Sequence, residues 1–217
     1  MGGAGGEGAR GEPKRHRGAP PLTHPRPLPR REGRSTGSAS AGAGVLPFFL
    51  AFSLLENEMT EDLPPRPFAS DAAVRHIGEG LLARSLARAE WTHEAHLAAT
   101  LWLIVERPDV CPERDLPDII RRFNESVGGV NDAIQGYHET ITQCFVAGIR
   151  LFLARTPPDL PLAGKVNALL QAPEGRRDWP LRFYSAARLF SVEARLGRCE
   201  PDLAPLLPFQ PAPQPPR

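Results

Sequence analysis

From Ser70 to Ala194 apolar side chains return every three or four positions, the period of a helix with one face turned inward. The first such row is Val74, Ile77, Leu81, Leu82 and Leu86, opened by Ser70 and Asp71 as capping residues, and it predicts a helix from Ser70 to about Arg88. Gly78 and Gly80 fall inside it and weaken it. A second row begins behind Thr92, a good N-cap, and runs to about Glu106 before Pro108. Its inward stripe reads His93, His96, Leu97, Thr100, Leu103 and Ile104. Leu116, Ile119, Ile120, Phe123 and Val127 define a third helix, stopped by Gly128-Gly129. A fourth covers Tyr137 to about Arg155, with Tyr137/His138, Ile141, Thr142, Phe145, Ile149 and Phe152 on one side. A short fifth helix spans Leu162 to Gln171, and a sixth helical stretch carries Phe183, Ala186, Phe190 and Ala194. No alternating strand pattern, hairpin signal or internal repeat interrupts the series. The expected fold is all-α: a compact bundle of about four long helices plus one or two short ones, in a domain spanning 59–208.

Composition changes this picture at the two ends. Residues 1–44 hold eleven glycines, eight Lys/Arg and three Glu with almost nothing to bury, so residues 1–58 are expected to be a disordered Gly/Pro/Arg-rich extension. Val45–Leu55 is apolar but too short to cross a bilayer. It is not followed by the small-residue cleavage site of a signal peptide, because Glu56, Asn57 and Glu58 come next. The abrupt change at Met59 suggests that translation begins there and that residues 1–58 are upstream sequence. Residues 209–217 form a proline-rich tail.

The formal net charge is +1 over 217 residues, so no global field favours nucleic acid, and no membrane partner is expected. Cys111, Cys144 and Cys199 are odd in number and widely spaced, which indicates neither a disulfide framework nor a zinc ribbon and fits a reducing cytoplasm.

The candidate chemistry is concentrated in histidine. Three of the six histidines lie in Glu90–Leu97 and Gly136–Thr140. His93 and His96 share a helix face at i,i+3, and His138 opens the core row of another helix. All three sit in first turns, where the helix dipole favours the neutral imidazole that binds metal or acts as a base. His93-Glu94-Ala95-His96 is one residue short of the metalloprotease spacing. Glu90-x-x-His93 matches half of a di-iron pattern without its second copy. The inventory better fits one divalent ion, zinc or another, on His93, His96 and His138, with Glu139 as ligand or general base and Tyr137 as an orienting donor. Tyr184 and Arg195 are candidates to line a pocket for a small molecule; the plainer alternative leaves arginine in solvent and Tyr184 in the core. Two functions follow: a metal or small-molecule site, with or without catalysis, or an interaction module whose histidines form a buried hydrogen-bond network.

Trp91-Thr92-His93-x-x-His96, Gly136-Tyr137-His138-Glu139-Thr140-Ile141-Thr142, Tyr184-Ser185 and Glu200-Pro201-Asp202-Leu203-x-Pro205-Leu206 together resemble a family of small bacterial proteins to which no reaction is assigned. The resemblance covers roughly residues 70–208. It implies an all-helical domain and marks His93, His96, Tyr137, His138 and Glu139 as positions that match the family's motifs. Arg198-Cys199 departs from it, where bulkier aliphatic or aromatic residues are expected.

If residues 1–58 bury nothing, a chain beginning at Met59 should melt within a few degrees of the full chain. Thermal denaturation of the two side by side checks this, since losing about 1 kcal/mol lowers the Tm of a domain this size by only a few degrees.

Overall fold

Capping residues place the helix starts, and the computed structural model describes residues 64–206. The expectations for residues 1–58 and 209–217 fall outside that range. Helices are the only regular elements among the described residues.

The first helix, α1 (Asp71–Ala83), starts where the Ser70 side chain accepts the Ala73 amide. It stops short of the expected Arg88 because Arg84 turns into the left-handed region at φ 58°. A 3-10 turn, Arg88–Glu90, then leads to α2 (His93–Glu106), whose Thr92 cap accepts from the Ala95 amide. α3 (Pro112–Ser126) begins a turn earlier than the apolar row suggests, with Pro112 in the first position, where its missing N–H removes no helical bond.

Pro117, further inside α3, does remove one. The carbonyl it strands belongs to Glu113, and Gln143 of the next helix donates its side-chain amide to that oxygen at 2.9 Å. A pair between Arg150 and the Glu113 carboxylate holds the same two helices together. That next helix is α4 (Glu139–Ala154), capped by His138, and α5 (Leu162–Gln171) follows with the predicted bounds.

The expected sixth helix is broken. Turns at Pro173–Gly175 and Trp179–Arg182 lead to two short helices, α6 (Ala186–Leu189) and α7 (Val192–Leu196). Ser185 and Ser191 cause the breaks. Each hydroxyl accepts the amide three residues on, from Arg188 and Ala194, and so starts a new helix instead of continuing the old one.

The core forms around α2. Every residue from Leu97 to Leu103 is buried, so the middle of this helix has no solvent face, unlike the single stripe its sequence suggested. α1, α3, α4 and α5 all pack on it. α1 approaches closest at Gly78, where a Cβ would overlap the Trp102 ring. The indole N–H of Trp102 donates to Glu106, which also takes a bidentate pair from Arg75 of α1. The C-terminal segment folds back across the start of α4. Tyr184 donates its hydroxyl to the Cys199 carbonyl, the Leu203 amide donates to the Phe183 carbonyl, and Asp202 accepts from both the amide and the hydroxyl of Ser185.

Gly78→Ala separates two opposed effects. Alanine is about 1 kcal/mol the better helix former, yet its methyl has no room beside Trp102. Overpacking is expected to win, with a net loss of about 1–3 kcal/mol. A lowered urea midpoint would show this, and a raised one would show that the indole gives way.

Candidate functional site

The first turns of α2 and α4 come together with the end of α3 and the loop 128–137 around a cavity of about 830 Å³. The size lies within the range of pockets that hold a small organic ligand or a cofactor. Gly128 and Gly136, at φ 77° and 76°, supply the two left-handed positions of that loop. Asn131 ties the loop down: its side chain takes the Tyr137 amide and an Asn124 N–H, and donates to the Arg121 carbonyl.

His93, His96, Tyr137, His138 and Arg195 all line this cavity, whereas Glu139 and Tyr184 do not. The three imidazoles are held differently. His138 uses both nitrogens. Nδ1 accepts the Ile141 amide at 3.4 Å as the cap of α4, and Nε2–H donates to the Leu189 carbonyl of α6 at 3.0 Å. This requires the neutral tautomer with its proton on Nε2. His93 donates Nε2–H to the Gly175 carbonyl at 2.8 Å and meets the Phe145 ring edge-on at 5.5 Å. The His96 ring stacks on Trp91, with ring centroids 3.9 Å apart, and its nitrogens have no hydrogen-bond partner among the described residues.

All three are held uncharged. Burial lowers each pKa, to about 3 for His96 and for His138. Positive neighbours add to the effect: Arg177 beside His93 and His96, and Arg195 beside His138. Among the described residues no group of three or more His, Cys, Asp or Glu side chains is arranged to hold a metal ion. The imidazoles share a cavity without forming a three-ligand set, because His93 and His138 each direct a ring N–H at a backbone carbonyl.

Glu139 is committed elsewhere. It accepts the Tyr137 hydroxyl at 3.0 Å and the Gln143 amide at 2.9 Å, with Arg121 at 4.0 Å. Arg121 also lies over the Tyr137 ring, 4.5 Å from its centroid. Tyr137 therefore shows the cavity its ring while its hydroxyl is held by Glu139. Burial raises the pKa of that hydroxyl, and the nearby carboxylate raises it further. Tyr184 is buried at the C-terminal fold-back, on the Cys199 carbonyl. Thr140, a motif residue with no role assigned from sequence, anchors the same fold-back by donating to the Gly197 carbonyl and accepting the Cys199 amide.

Arginine gives the cavity its charge. Arg88, Arg177 and Arg195 are the charged side chains of its wall, and no Asp or Glu lines it. Arg195 is only 8 % exposed, and its Nη1 donates to the carbonyls of Gly136 and Tyr137. It has no carboxylate within ion-pair distance among the described residues, and burial lowers its pKa. Arg177 lies 3.9 Å from Glu94, a carboxylate already accepting the Thr92 hydroxyl. Arg88 and Arg177 gave no signal in the sequence, since neither shares a motif or a periodic row with the histidines. Compared with family models, curated proteins and solved structures, the chain matches none of them. No helix of the described residues is long and apolar enough to cross a membrane.

The histidines give stability a defined pH dependence. An unfolded chain takes up protons near pH 6.5 that the folded site refuses until about pH 3. Their contribution is therefore fully present above pH 6.5 and is lost as pH falls through that window. By pH 5, His96 and His138 should each cost about 2 kcal/mol. Urea midpoints at pH 7.5 and pH 5 check this, because the stability from carboxylates that the fold depresses is lost mainly as the unfolded chain takes up their protons, near and below pH 4.5.

Proposed function

We propose that this chain is a binding protein, with or without catalysis, for a small organic anion: a carboxylate or phosphate joined to a flat apolar part. The observation that carries the reading is Arg195. A guanidinium more than nine-tenths buried, with no ion pair and only the more distant Asp132 carboxylate to offset its charge, is costly unless something else supplies negative charge at close range. It lines a cavity that also presents Arg177 and Arg88 and no acid. Two carbonyls satisfy one of its nitrogens and leave further donors for a ligand. The first turns of α2 and α4 add partial positive charge at the same place. Trp91, Phe123, Tyr137 and Phe145 provide flat apolar wall. The neutral histidines belong to this reading as polar contacts that do not compete for the anion.

The second reading, a structural hydrogen-bond network, is favoured by His93 and His138, each of which holds a carbonyl of a distant segment. It leaves the His96 ring and Arg88 without a purpose, and it does not account for the concentration of positive charge on one cavity wall. A divalent ion is the less favoured occupant, because only His96 and one nitrogen of His93 remain uncommitted. The resemblance to small bacterial helical proteins and a cytoplasmic location are part of the same proposal.

The test is calorimetric titration and thermal shift of the full chain with benzoate, phenyl phosphate and the uncharged benzyl alcohol. The anions are expected to bind and raise the Tm, as any ligand selective for the folded state must. Arg177→Gln should weaken them about tenfold, as loss of a charged hydrogen bond does. Equal binding of benzyl alcohol, or no stabilisation by either anion, would overturn the proposal. The better of the two anions distinguishes carboxylate from phosphate.

A further inference from the structure

The cavity wall contains a polar strip that neither its charge nor its capping chemistry uses. His96 and Thr100 lie one turn apart on α2, at i and i+4, and so present their side chains on one face. Both line the cavity. Neither has a side-chain hydrogen-bond partner among the described residues, and Thr100 is only 8 % exposed. Most other polar side chains of the wall are spoken for. His93 and His138 hold carbonyls, Asn124 donates to Asn131, and Gln135 donates to Asp132. Their polar atoms open onto the cavity rather than being sealed in the core, so a hydroxyl and an imidazole side by side on this wall, with no partner from the protein, are groups that a ligand can complete. The Trp91 stack at 3.9 Å fixes the plane of the His96 ring and so the direction in which its nitrogens point.

Resting on the anion reading above, we propose that His96 and Thr100 form the specificity strip of the cavity, selecting anions whose flat part carries a hydroxyl or ring N–H. The arginines take the charge at one end, and the strip matches the uncharged hydrogen-bonding group. A neutral imidazole both donates and accepts, and so does a hydroxyl. The pair therefore completes a ligand hydroxyl in both directions, which a purely apolar ring cannot return.

Benzoate and the three hydroxybenzoates test this by titration against the full chain. The best-placed hydroxybenzoate should bind about five- to tenfold more tightly than benzoate, the gain of one net hydrogen bond. His96→Phe, which keeps a ring to stack on Trp91, should bring that ratio close to one, whatever it does to the affinity for benzoate itself. His96→Gln, which restores a donor and an acceptor, should recover part of it. Thr100→Val is nearly isosteric and supplies the same comparison if His96→Phe does not fold. Benzoate binding with no hydroxybenzoate gain, or a gain that survives His96→Phe, would overturn the strip and leave the anion reading standing. If phenyl phosphate binds and benzoate does not, the hydroxyphenyl phosphates take the place of the hydroxybenzoates in the same comparison; failure of both anions to bind removes both readings.

Discussion

One imidazole joins the two halves of the site. His138 caps α4 through Nδ1 and holds the Leu189 carbonyl of α6 through Nε2–H, so the start of one helix and the end of another depend on a single neutral ring. Around it, Thr140 binds both ends of the Gly197–Cys199 turn, and Arg195 of α7 reaches back to the carbonyls before α4. The C-terminal short helices thus hold the first turn of α4 in place. That turn carries part of the cavity wall, so the wall and the C-terminal segment are bonded to one another. Protonating His138 would remove the acceptor of the cap and put a cation beside Arg195.

The same arrangement explains how the separated motifs divide their work. Tyr184, Ser185 and the Cys199–Asp202 stretch meet one another and do not line the cavity. Tyr137 and Glu139 form a second local unit with Gln143 and Arg121, which fixes the aromatic wall. His96, by contrast, is held only by stacking. Residues that look equivalent in a motif therefore differ in whether their polar atoms are committed, and those left uncommitted face the cavity.

Helix positions were legible in the chain because capping chemistry is local. Thr92 and Ser70 announced their helices, and the Leu162–Gln171 segment was bounded by its own apolar row and flanking prolines. The broken sixth helix was not legible, because Ser185 and Ser191 read equally as helix-interior residues until their side chains are seen to take backbone amides. His93, His96 and His138 line one cavity because each stands at the start of a helix, His138 as the cap of α4, and the fold brings those two helix starts together. Their hydrogen-bond partners were not legible, since the carbonyls of Gly175 and Leu189 lie far away in sequence. Arg88 and Arg177 were invisible for a related reason: a cation on a loop carries no period, and only the tertiary fold brings it beside α2.

Pro117 has a consequence for how the chain reaches this state. A helix with a proline in its body is missing one internal bond, and here the empty acceptor is filled only when α4 offers Gln143. The acceptor near the start of α3 is thus filled by another helix of the chain and not by α3 itself. α3 is therefore a weak autonomous helix that reaches full order by docking, which ties local order to assembly. Such coupling suppresses partly folded forms in which α3 stands alone, and it makes the wall that α3 and α4 share appear and vanish as one unit.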